Sequence, residues 1–191
     1  MKMKIFFFCL LITPLLSAQD YYPLAVGNEW VYVFMKGKGS EKTKKITVKE
    51  YDKETGAYLL STIFKLGAAT PIMSQEVVEK RGKYILHLGD RGGLFGTGDW
   101  DYETYPLLEL PFKIGKKWEH GDENHKHNYE VINKIDLRIN GQIYKDVYVV
   151  RHINQDRVAT LEYYAPNIGM IKETSEDGEV TILELISSEI K

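Results

Sequence analysis

Apolar and polar residues alternate along this chain with a period of two, and almost nowhere with the period of an amphipathic helix. In KKITVKEY, Ile46 and Val48 share one face while Thr47 and Lys49 take the other. In NYEVINKIDL, Tyr129, Val131, Ile135 and Leu137 stand against Glu130, Lys134 and Asp136. GAYLLSTIFK is largely apolar on both faces, as for a strand covered on both sides. Thr55-Gly56, Gly82, Asn140-Gly141 and Asp177-Gly178 separate such runs, and the last two dipeptides suit a type I′ turn. The pattern predicts about ten strands, near 29–36, 43–52, 57–66, 72–80, 83–88, 126–137, 142–154, 157–164, 168–174 and 179–188. Short links make successive strands antiparallel neighbours. The expected fold is therefore all-β, an antiparallel meander curling into a barrel or open half-barrel.

One phrase occurs twice. PLAVGNEW (Pro23 to Trp30) and PFKIGKKW (Pro111 to Trp118) both read P-[LF]-x-[VI]-G-x-x-W. Each is followed by a polar stretch, a strand, a glycine turn and another strand. The repetition predicts two pseudo-repeated halves, about 21–108 and 109–188, within a single β domain, 19–191. Proline and glycine shape an entry turn, and Trp30 and Trp118 are read as buried plugs at one end of the sheet, with ligand stacking as the alternative.

Tyr22, Pro23, Leu24, Gly27 and Trp30, then Tyr163, Tyr164, Ala165 and Gly169, carry a resemblance. They are similar to the framing phrases of uncharacterised exported bacterial β-rich proteins, which open with Y-P-L-x-x-G-x-x-W and close with Y-Y-A-x-x-x-G. That resemblance implies export and a β-barrel-like domain, and brings no activity. A looser likeness is to the open barrels of periplasmic lipoprotein carriers, whose lid helices have no counterpart in this sequence.

The start of the chain, MKMKIFFFCLLITPLLSAQ, has a positive end at Lys2 and Lys4 and an apolar run from Ile5 to Leu16. That run is too short for a bilayer, so 1–18 is expected to be a signal peptide cleaved after Ala18, directing the protein to the periplasm or cell exterior. Cys9 is the chain's one cysteine and lies within this run, so the exported protein has neither a disulfide nor a thiol nucleophile. Formal net charge is −2, which gives no electrostatic case for nucleic acid. No later stretch is apolar for long enough to span a membrane.

Two polar segments hold the candidate chemistry. In WEHGDENHKHNYE, His120, Asp122, His125 and His127 could converge on zinc or copper, because His125 and His127 at i and i+2 of a strand face one way. The alternative is a solvated turn, Gly-Asp-Glu-Asn being turn chemistry, and otherwise no cofactor is expected. In GDRGGLFGTGDWDYETYP, Asp99, Asp101 and Glu103 alternate with Trp100 and Tyr102, which would suit a sugar or calcium ion, or a connector between the halves. His87 and His152 read as strand-surface or rim histidines. There is no G-x-S-x-G, H-E-x-x-H or phosphate loop, so an enzyme is not expected. The expected function is an exported binding or structural module of unknown ligand. Alternatives are a carrier holding a lipid or other hydrophobic small molecule in an apolar concavity, and a metal-binding protein using 120–127. The partner would be such a molecule or a cell-envelope component.

Overall fold

The computed structural model describes residues 19–34, 42–91, 99–121, 126–154 and 156–191. The expected signal peptide, 1–18, lies outside the described residues. Twelve strands form one antiparallel sheet: β1 (Glu29–Phe34), β2 (Lys42–Tyr51), β3 (Ala57–Leu66), β4 (Ile72–Arg81), β5 (Tyr84–Arg91), β6 (Tyr105–Glu109), β7 (Lys117–His120), β8 (His127–Ile139), β9 (Gln142–Ile153), β10 (Ala159–Ala165), β11 (Gly169–Ser175) and β12 (Thr181–Glu189). Each pairs with its sequence neighbour except β6 with β7, and β1 pairs with β12 instead. The sheet thus curls into a nearly closed barrel whose two edges are consecutive strands. Alternation predicted this meander.

Strands β6 and β7 are the two that the sequence pattern misses. β6 has five residues with Pro106 inside it, and β7 has only four, so neither is long enough to display an alternation. Proline belongs on a sheet edge, where its missing N–H breaks no ladder. The turns also differ. Asn140 and Gly141 both have positive φ (49° and 85°), as a type I′ turn requires. At Asp177-Gly178 only Gly178 does. Ser175 N–H donates to Val180 O at 2.9 Å and Asp177 Oδ1 accepts from Glu179 N–H at 3.0 Å, making a wider loop.

The repeated phrase makes the same turn twice. Gly27 N–H donates to Val48 O, Asn28 N–H to Ala25 O, and Val48 N–H to Asn28 O, all within 2.8–2.9 Å. Gly115, Lys116, Lys113 and Val131 repeat each of these bonds at 2.7–2.9 Å. Both glycines sit at positive φ (89° and 85°), where a side chain would be strained. One turn delivers Trp30 into β1 and the other Trp118 into β7. Both indoles are buried, donating to Ile168 O (2.6 Å) and Leu107 O (3.3 Å).

The two turns close the same end of the barrel. Tyr21 and Phe112 pack there at a tilt with centroids 5.4 Å apart, and Tyr148 and Tyr164 pack on Phe112. The long β8–β9 hairpin also contributes. Bulges at Val131/Asn133 and Ile135/Leu137 bend it. At its tip Asn140 Nδ2 donates to Leu185 O of β12 at 3.3 Å, and Ile139 and Val147 join the core around Leu185 and Ile171.

Between β6 and β7 side chains replace the ladder. Trp118 donates to Leu107 O, His120 hydrogen-bonds the Pro106 backbone, and Lys116 Nζ, from just before β7, donates to Glu109 O at 3.4 Å. Tyr105 and His120 stack across the gap at 4.3 Å. β7 and the residue before it therefore cover the backbone of edge strand β6 with ring and ammonium donors, which blunts both edges.

Candidate functional site

Residues two apart on a strand face one way, and this brings ionisable side chains into the barrel beside aromatic ones. Trp30 and Tyr32 come from β1, Lys44 and Ile46 from β2, Leu60 from β3 and Glu76 from β4. Across from them stand Leu107 and Leu108 of β6, Tyr129 of β8, His152 of β9, Glu162 and Tyr164 of β10, and Met170 and Glu173 of β11. Tyr22 and Pro23 of the N-terminal segment complete the lining. These residues enclose a cavity of about 380 Å³, within the range of ordinary small-molecule pockets.

The carboxylates fall in two groups. Glu162 and Glu173 are directly opposed on β10 and β11, a like-charge pair that costs stability unless something neutralises it. Glu162 is well supplied with donors: His152 Nδ1–H reaches Oε1 at 3.1 Å and Tyr164 O–H reaches Oε2 at 2.8 Å. The chain continues outward, with His127 Nδ1–H donating to His152 Nε2 at 2.9 Å. Burial, reinforced by the charge of Glu162, holds the Glu173 carboxyl above the usual range. Glu76 comes from the far wall. Burial raises its pKa too, and nearby Lys44 offsets this only in part. Burial likewise raises the Tyr22, Tyr32, Tyr129 and Tyr164 hydroxyls, so all four stay protonated as neutral donors.

The described histidines form one stack with tyrosines. Ring centroids step from His87 to Tyr105 (4.5 Å), His120 (4.3 Å), His127 (4.7 Å) and His152 (5.2 Å), and Tyr129 lies 4.3 Å from His152. Burial, with neighbouring imidazoles, lowers His120 to about 4 and also lowers His127. Both rings are therefore neutral at neutral pH.

Of the metal candidates, His120 and His127 are brought together by the register of β7 and β8, while Asp122 and His125 lie outside the described residues. Among the described residues no group of three or more histidine, cysteine or carboxylate side chains converges as metal ligands. His120 hydrogen-bonds Pro106, and its Nδ1 is buried without a partner. In the second segment, Asp99, Asp101 and Glu103 are exposed, and none of the five residues lines the cavity. Trp100 and Tyr102 stack at 6.0 Å, Arg91 lies over the Trp100 ring, and Asp101 exchanges backbone hydrogen bonds with Asp90. His87 and His152 depart from the rim reading. His87 is 3% exposed with Nδ1–H donated to Glu103 O, and His152 lines the cavity.

Lys44, Glu76, Glu162 and Glu173 were not singled out by sequence, yet a signal was there. Lys44 shares parity with Ile46 and Val48, and Glu162 with Tyr164. A charge on the apolar face of a strand marks a place where the interior is not filled by hydrocarbon.

Two solved structures have this fold. One is a Bacteroides fragilis protein described as exported, with a YmcC-like fold (TM-score 0.56, 14% identity, 90% of this chain and 99% of that one). The other, from Parabacteroides distasonis, is described as a lipoprotein (TM-score 0.54, 10% identity, 91% of this chain and 100% of that one). No protein-family model and no curated protein sequence matches the chain.

Proposed function

We propose that the protein is an exported binding module that holds a small organic molecule inside its barrel. The observation that carries this reading is the cavity of about 380 Å³ in which aromatic rings and ionisable groups converge. A barrel whose only role was structural would gain stability by filling that space with hydrocarbon. Placement in the cell envelope is supported by the signal-like start of the chain and by the two structural neighbours, one described as exported and one as a lipoprotein. Five ionisable side chains in the lining argue against a bare acyl chain as the ligand, because each would be desolvated against hydrocarbon.

Native mass spectrometry of the mature protein recovered from an exporting host tests this. The expected result is a bound organic species that is lost in Met170→Trp, where the larger side chain occupies the cavity. An unliganded wild type whose melting temperature is also raised by Met170→Trp would overturn the reading.

A further inference from the structure

The cavity has an excess of acid. Glu76, Glu162 and Glu173 line it against a single ammonium group, that of Lys44. Glu162 is held by His152 and Tyr164, but Glu76 receives no hydrogen bond and makes no ion pair among the described residues, although it is recessed in the barrel. A carboxylate even partly withdrawn from water is costly without donors, and a protein can keep one where a ligand supplies the missing charge. Aromatic faces surround the same space, with Trp30, Tyr32 and Tyr129 in the wall. Aromatic faces and carboxylates together are what recognise an organic cation: the rings attract the charge through their quadrupoles and the carboxylates accept its protons.

Resting on the binding reading above, we propose that the ligand is a primary ammonium ion carried on an apolar body. Its N–H donors would be accepted by the opposed pair Glu162 and Glu173, with Glu76 facing them from the other wall and adding to the negative potential, while the body packs on Leu60 and Met170. Lys44 would act as an internal competitor. Its charge attracts Glu76 and Glu173 through space without an ion pair to either among the described residues, so the empty site is partly neutralised.

Three probes of similar shape separate this proposal from the broader one: tryptamine, tryptophol and indoleacetate, titrated calorimetrically into the full mature protein. Tryptamine is expected to bind at least about tenfold more tightly than tryptophol, the worth of a charge-assisted hydrogen bond in a desolvated site, with indoleacetate weakest. Glu162→Gln/Glu173→Gln should remove most of that preference. Lys44→Met should strengthen tryptamine binding, a change in the opposite direction that misfolding cannot produce. If tryptophol or indoleacetate binds as tightly as tryptamine, the ammonium proposal falls and the binding reading stands. If none of the three binds and the cavity-filling Met170→Trp variant is more stable than wild type, both fall.

Discussion

His120 of β7 lies flat on Tyr105 of β6, with ring centroids 4.3 Å apart and planes 15° from parallel. Among the described residues this contact spans the one boundary of the barrel that no backbone ladder crosses. The far face of His120 stacks on His127 at 4.7 Å. His120→Ala removes both of these close stacks, a looser one on Tyr129 at 5.6 Å, and the bond to Pro106. It should cost about 1–3 kcal/mol, as expected for two aromatic contacts and one hydrogen bond. His120→Phe, which keeps the stacks, should retain most of that. The distinguishing measurement is amide hydrogen exchange: protection should fall in β6 and β7 and hold in β1 and β12. A uniform loss across the barrel would show that the seam is not the weak boundary.

The same stack makes stability depend on pH. Burial lowers His120 to about 4 from an ordinary value of 6.5, and His127 is lowered as well. The unfolded chain therefore binds more protons than the folded one between those two values. The stability these histidines contribute is complete above pH 6.5, declines as pH falls towards 4, and is lost below it. Chemical denaturation across that range should show the decline in wild type and a shallower one in His120→Phe. Equal slopes would mean that His120 does not titrate as its burial implies.

How far the sequence reveals this protein depends on what each residue's neighbours do. Ile46 and Val48, or Tyr129 and Val131, announce their strands because the periodicity is local and the sheet only has to accept it. Asn140-Gly141 announces its turn for the same reason. β6 and β7 are invisible because they are held by Trp118, His120 and Lys116 reaching across to the backbone of β6, a relation with no sequence period. The histidines at 120 and 127 suggest a metal site by their nearness in sequence, and the register of β7 and β8 brings them together. Their partners in space, Tyr105 and His152, come from β6 and β9. Glu162 and Glu173 oppose each other only through the register of β10 and β11, so the carboxylates of the cavity belong to no motif.

The twin turns allow a direct comparison. At Gly115 an added Cβ meets nothing within 4 Å, so Gly115→Ala isolates the cost of a side chain at φ 85°. At Gly27 the Cβ would collide with Lys191 Nζ, the far end of a long side chain that can swing aside. Each substitution should therefore cost about 1–2 kcal/mol, the left-handed penalty alone. Equal shifts in melting temperature would support reading 21–108 and 109–188 as copies of one unit built around the same turn. A near-neutral Gly115→Ala would refute the strain argument at that position.

Glu76 offers the test with the least expected sign. Removing a charge from a folded protein usually destabilises it, but this carboxyl is raised above its ordinary value of 4.5, with burial outweighing the attraction of Lys44. The folded chain thus holds its proton to higher pH than the unfolded chain does. As pH rises through that interval the folded state loses stability, and above it the full penalty of an ionised recessed carboxylate is present. Glu76→Gln keeps the shape and removes the ionisation. The variant should melt higher than wild type at neutral pH, and the gap should close as pH falls below 4.5. Saturating wild type with tryptamine should also narrow it, because a bound ammonium supplies the charge that Glu76 lacks. A variant less stable than wild type at neutral pH would mean that Lys44 and the barrel already satisfy Glu76, and would remove the main support for a cation in the cavity.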